Sequence, residues 1–137
     1  MIVKRTYSDI NVQSLVDLFS SKISNCLDLS YEKETLDNIR KDNNFTDELK
    51  TECGIYYFIQ EGMVKYVGRA LPAVGLRSRI LNQINAFGDE NWDKVIKDNN
   101  TEIAVFIFND LEQWYFISAL EHYLIEKLER PIFNKRC

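Results

Sequence analysis

The chain has 137 residues, 45% of them hydrophobic and 28% charged, which predicts one globular domain, or one domain carrying a substantial extension. No stretch approaches the roughly 20 apolar residues of a membrane span, so no membrane partner is expected. The opening MIVKRTYSD lacks the apolar core of a secretory signal, making the cytoplasm the expected compartment. Cys26, Cys53 and Cys137 are odd in number and far apart, which gives neither a disulfide framework nor zinc-ligand spacing.

A net charge of −4 does not by itself suggest a nucleic-acid partner, but the charges are unevenly placed. No acidic residue falls between Gly62 and Gly88, where Lys65, Arg69, Arg77 and Arg79 all lie. After Glu129 the tail carries Arg130, Lys135 and Arg136, again without acids. A locally basic face on an acidic protein is the minimum that phosphate binding requires.

In chain order, Val12, Leu15, Val16, Phe19 and Ile23 recur at helical spacing after Ser8 or Asp9, either of which can cap the helix. Their stripe must be buried on the rest of the chain or on a second copy of it. Leu36 and Ile39 support a second short helix, Asp42-Asn43-Asn44 reads as a turn, and Thr46 is a candidate cap for a last helical turn ending near Lys50. Residues 1–50 thus read as a helical extension, and 51–137 as the main domain.

The centre of the chain is CGIYYFIQEGMVKYVGRALPAVGLRSRI, Cys53 to Ile80. Aromatic and β-branched residues alternate on either side of Gln60-Glu61-Gly62, which predicts a β-hairpin. A three-residue loop ending at Gly62 pairs Ile59 with Met63 and Tyr56 with Tyr66. The competing two-residue loop sets Tyr57 opposite Tyr66. The first is preferred, because two-residue turns favour Asn or Asp before glycine.

A helix from about Val74 to Phe87 follows, with Leu76, Ile80 and Ile84 on one stripe and Arg77 and Arg79 on different sides of it. Asp89 to Asp98 gives a short acidic helix around Trp92, Val95 and Ile96. Ile103 to Phe108 is apolar on both faces and predicts a covered strand. The last helix spans about Leu111 to Leu128, with a seam of Trp114, Ile117, Glu121, Leu124 and Leu128. A carboxylate in such a seam is costly unless paired, protonated or holding a cation. The expected architecture is an α/β sandwich: a small three-stranded sheet, antiparallel or mixed, flanked by helices.

Gly54-Ile55-Tyr56, then Tyr66-Val67-Gly68, the helix Leu76-Arg77-Ser78-Arg79, the late Glu121 and the closing Pro131-Ile132-Phe133-Asn134 together resemble a GIY-YIG nuclease domain, over about Gly54 to Asn134. The resemblance implies a small endonuclease that hydrolyses DNA phosphodiesters with one divalent cation, Mg²⁺ or another such as Mn²⁺. It implies an active site of Tyr56, Tyr66, Arg79, Glu121 and Asn134, with Glu121 as the metal ligand. Lys65, Arg69, Arg77, Lys135 and Arg136 are the expected DNA contacts, and a homo-oligomer through the N-terminal extension is a further expected partner.

The residue types suit that chemistry. A hard cation takes oxygen ligands and keeps several waters, an arginine can hold the scissile phosphate, and a tyrosine near a positive charge can help deprotonate water. Glu121 as a structural partner of Arg79 is the competing reading of the seam position. Two positions depart from the family pattern. Gln83 stands where a histidine or tyrosine is common, and Arg69, which stays protonated, follows the second motif. His122 is one residue from Glu121 and points elsewhere on the helix. A protein that keeps the fold to bind nucleic acid but cleaves poorly is the alternative.

Overall fold

The aromatic run and its valine-rich partner pair as a hairpin in the computed structural model, which describes residues 7–23, 26–128 and 131–134. Lys135 and Arg136 lie outside the described residues. Gly54–Gln60 (β2) and Met63–Ala70 (β3) run antiparallel. The turn between them is the two-residue Glu61-Gly62, with φ of 53° and 77°, and Gln60 faces Met63. This corrects the three-residue loop. A turn with both central residues left-handed matches the twist of the flanking strands. The pairing of Ile59 with Val64 outweighs the mild strain of a left-handed glutamate.

The register then shifts between Ile59 and Phe58, so Phe58 pairs with Tyr66, Tyr57 with Val67 and Tyr56 with Gly68. Lys65 is the extra residue of a β-bulge. Without the bulge, Tyr57 would oppose Tyr66. With it, Tyr56 and Tyr66 share one face, although neither expected pairing is the observed one.

The sheet has four strands, all antiparallel, in the order β1-β4-β2-β3. Glu102–Phe108 (β4) is the covered strand expected from its sequence. The fourth strand, Leu29–Thr35 (β1), pairs along β4 and corrects the three-stranded expectation. Its side chains are mostly exposed, so it carries no apolar alternation and lies at the edge of the sheet.

Helices cover both faces. On one side, Leu36–Lys41 (α2), Asn44–Glu48 (α3), Leu76–Ile84 (α4) and Glu90–Ile96 (α5) bury Leu36, Ile39, Leu76, Ile80, Ile84, Trp92 and Ile96 with Tyr56 and Phe58. On the other, Asp9–Lys22 (α1) and Phe116–Lys127 (α6) bury Val12, Val16, Ile117, Leu120 and Leu124 with Ile55, Tyr57 and Val67. The protein is therefore a mixed α/β sandwich around an antiparallel sheet. Among the described residues, no helix is long and apolar enough to cross a membrane.

Three further expectations need correction. Thr46 lies inside α3, not at its cap, and its hydroxyl donates to the Asn43 carbonyl. The first helix after the hairpin stops at Ile84, short of Phe87. The last helix starts at Phe116, after a 3-10 turn over Leu111–Gln113 that leaves Trp114 half-exposed. Its buried stripe is Ile117, Leu120, Leu124 and Leu128, with Glu121 on the flank of that stripe and not at its centre.

Candidate active site along the second strand of the hairpin

Tyr66-Val67-Gly68-Arg69, in β3, is where remote parts of the chain converge. From β2, the Tyr56 ring lies across Gly68. A Cβ added to that glycine would stand 2.5 Å from the Tyr56 hydroxyl oxygen, so the position admits no side chain. Gly54, at φ 151°, is equally constrained, because a Cβ there would overlap the Phe106 carbonyl oxygen. The first and last glycines of the paired triplets thus have separate steric causes.

Tyr56 is fully buried, and its hydroxyl has no hydrogen-bond partner among the described residues. Its ring centroid lies 6.1 Å from that of Tyr66. Burial pushes the Tyr56 phenol well above its usual range; the neighbouring Tyr66 adds to the shift, and the positive charge of Arg79 opposes it. Tyr56 therefore stays protonated at neutral pH and is a donor, not a base. Arg79, on α4, is exposed. Tyr66 continues into an edge-to-face aromatic chain through Trp92 to Phe133, with centroids 5.7 and 5.1 Å apart.

From the C-terminal segment, Asn134 forms a two-point clamp on Val67. Its Oδ1 accepts from the Val67 N–H at 2.9 Å and its Nδ2 donates to the Val67 carbonyl at 2.7 Å. The Phe133 N–H donates to the Lys65 carbonyl at 3.0 Å. Pro131 to Asn134 thus takes the place of a further strand along part of β3, the outer strand of the sheet. Asn134 positions the strand between the Tyr66 and Arg69 side chains.

From α6, Glu121 reaches Arg69, whose Nη1 donates to Oε1 at 2.7 Å. The glutamate side chain is 16% exposed and the arginine 45%. The partner of Glu121 is therefore Arg69 and not Arg79. Alternation along β3 puts Tyr66 and Gly68 on the α4 side and Val67 and Arg69 on the α6 side. Tyr56, Tyr66 and Arg79 are thus gathered on one face, and Glu121 lies on the other. The two groups can meet only around the outer edge of β3.

The remaining expected contacts divide. Arg77 leans towards Asp47 of α3 at 3.7 Å. Lys65 sits in the bulge beside Tyr66. The side chain whose role sequence reasoning missed is Arg69 as the carboxylate partner. Strand alternation in the expected register already turns Arg69 away from Tyr56 and Tyr66, but it does not say that α6 covers that face. Scans against protein-family models, curated proteins and solved structures return no match.

The ligand chemistry suits a magnesium-like ion in kind, since Glu121 is a hard oxygen donor and such ions need only one or two carboxylates beside water and substrate phosphate. No group of three or more His, Cys, Asp or Glu side chains that could hold a metal occurs among the described residues. Glu121 Oε2 has no protein donor among the described residues, whereas Oε1 is engaged by Arg69.

Proposed function

We propose that the protein is a small divalent-cation-dependent endonuclease that hydrolyses DNA phosphodiester bonds. The observation that carries this reading is the convergence on Tyr66–Arg69. Tyr56 from β2, Glu121 from α6 and Asn134 from the C-terminal segment each contact this four-residue stretch, and Arg79 from α4 lies close enough to act on Tyr56. Packing alone does not require two tyrosines, an arginine, a glutamate and an asparagine to collect around one strand.

The roles follow from environment. The exposed Arg79 guanidinium is the group to hold the scissile phosphate and offset the charge developing on it. Tyr56, protonated and with its hydroxyl buried, is placed to orient the neighbouring Tyr66 as a donor. That leaves Tyr66, half-buried, as the tyrosine to orient the attacking water, and as the phenolate to accept its proton. Glu121 would hold the Mg²⁺ ion, which when bound lowers the pKa of water and neutralises phosphate charge. Arg69 then has two uses, as the partner of Glu121 and as a second phosphate clamp.

One observation favours the alternative, a nucleic-acid-binding protein that cleaves poorly. Glu121 is tied to Arg69 on the α6 face, across the sheet from the tyrosines. Supercoiled plasmid with Mg²⁺, against the same reaction in EDTA, separates the readings. Cation-dependent nicking supports the nuclease; retarded but uncut plasmid supports the binding protein.

A further inference from the structure

The bulge at Lys65 has a second effect. It makes two consecutive residues, Lys65 and Tyr66, project towards the α5 side of β3, where strict alternation would send them to opposite faces. Lys65 there borders an open groove between β3, α5 and the C-terminal segment, together with Lys94, Asn91, Asp89, Ile132 and Phe133. The groove starts one residue from Tyr66 and shares the Trp92–Phe133 aromatic contact with it.

We infer that this groove is a binding track for one strand of DNA flanking the cleavage site, an inference that rests on the nuclease reading above. Three features select a nucleic-acid strand as the occupant. First, among the described residues neither Lys65 nor Lys94 is paired with a carboxylate, so both ammonium groups are available to phosphate. Second, the one acid lining the groove, Asp89, is held as the cap of α5, its Oδ1 accepting from the backbone N–H groups of Asn91 and Trp92 at 3.0 and 3.2 Å, while Glu90, Asp93 and Asp98 border Lys94 in a separate, neighbouring cleft. Third, the wall formed by the C-terminal segment is apolar. Ile132 is 56% exposed and Phe133 is partly so, which suits the sugar and base of a nucleotide whose phosphate lies on the lysines. A phosphate track beside a tyrosine–arginine site would hold the strand in register while its scissile bond lies at Arg79.

The test is fluorescence anisotropy of a labelled duplex oligonucleotide in EDTA, so that binding is read without cleavage, over a series of salt concentrations. Lys65→Ala and Lys94→Ala should each weaken binding several-fold at low salt. Each should also reduce the slope of log K against log salt by about 0.9, the value for one lost phosphate contact. Lys65→Arg and Lys94→Arg should restore the slope. Lys41→Ala, the same charge change on exposed α2, should leave it unchanged. Equal slopes for parent and both groove variants, or an equal loss from Lys41→Ala, would overturn the track while leaving the nuclease reading intact. A parent that binds no DNA at any salt would overturn both.

Discussion

Removing the carboxylate of Asp9 tests how the first helix is held to the sheet. Tyr57, fully buried on the α6 face, donates to Asp9 Oδ1 at 2.5 Å. Tyr31 of β1 donates to Oδ2 at 2.6 Å, and Lys33 stands 3.4 Å from the same oxygen. One carboxylate therefore links α1 to two strands. Asp9→Ala strands the Tyr57 hydroxyl in the core, at a cost of about 1–3 kcal/mol. Tyr31 and Lys33 are partly exposed and regain water, so losing their contacts adds about 1 kcal/mol.

An unfolding entropy of about 2.1 cal/mol/K per residue over 137 residues makes 1 kcal/mol equivalent to about 3.5 °C in Tm. The expected drop, from about 2–4 kcal/mol, is about 7–14 °C by calorimetry. Adding Tyr57→Phe to Asp9→Ala should recover much of the loss, because the stranded hydroxyl goes with its partner. A single variant melting within about 2 °C of the parent would refute the reasoning, as would a double variant showing additive losses.

The pH dependence has a definite sign. Burial raises the Asp9 pKa, but the hydrogen bonds from Tyr31 and Tyr57 and the charge of Lys33 outweigh it and leave the carboxyl below its usual range. Its contribution to stability is present above the unfolded pKa, about 3.9, and is lost as pH falls through the lower folded value. The Tm difference between parent and Asp9→Ala should therefore be constant near neutrality and shrink in acid.

Two other variants probe the site. Tyr56→Phe removes a buried hydroxyl without a partner, so it should melt no lower than the parent, or about 1 kcal/mol higher, while its nicking rate falls; a drop in Tm would mean that the hydroxyl has a structural partner. Gly68→Ala forces a methyl against the Tyr56 ring and should cost about 1–3 kcal/mol together with most of the nicking activity, and a fully active, stable alanine variant would show that the ring does not need its place over residue 68.

Legibility of the fold followed burial. The apolar β4 and the stripe of Leu76, Ile80 and Ile84 could be read because their side chains meet the core directly. Strand β1 could not, since Ser30 to Glu34 are mostly solvated and their strand state comes from pairing with a β4 partner some 70 residues away in the chain. The shared face of Tyr56 and Tyr66 was reached through two compensating differences, a turn one residue shorter than expected and a bulge that restores the alternation. Seam spacing picked out Glu121 as an unusual carboxylate, but counting from Trp114 began the helix too early and concealed Leu120 as the buried neighbour. The partnership of Arg69 with Glu121 left no mark in the sequence, because it depends on which helix covers the far face of β3.

The nuclease reading stands or falls on Glu121→Gln, with plasmid nicking in Mg²⁺ and Tm measured on one preparation. The pair that it breaks is half-exposed at Arg69, so Tm should move by no more than about 1 kcal/mol, or 3–4 °C. If Glu121 holds the catalytic cation, nicking should fall by about 100-fold or more while DNA binding in EDTA persists. Nicking at the parental rate, from a variant whose Tm has fallen well beyond that margin, would show that Glu121 supports the fold through Arg69 and takes no part in catalysis.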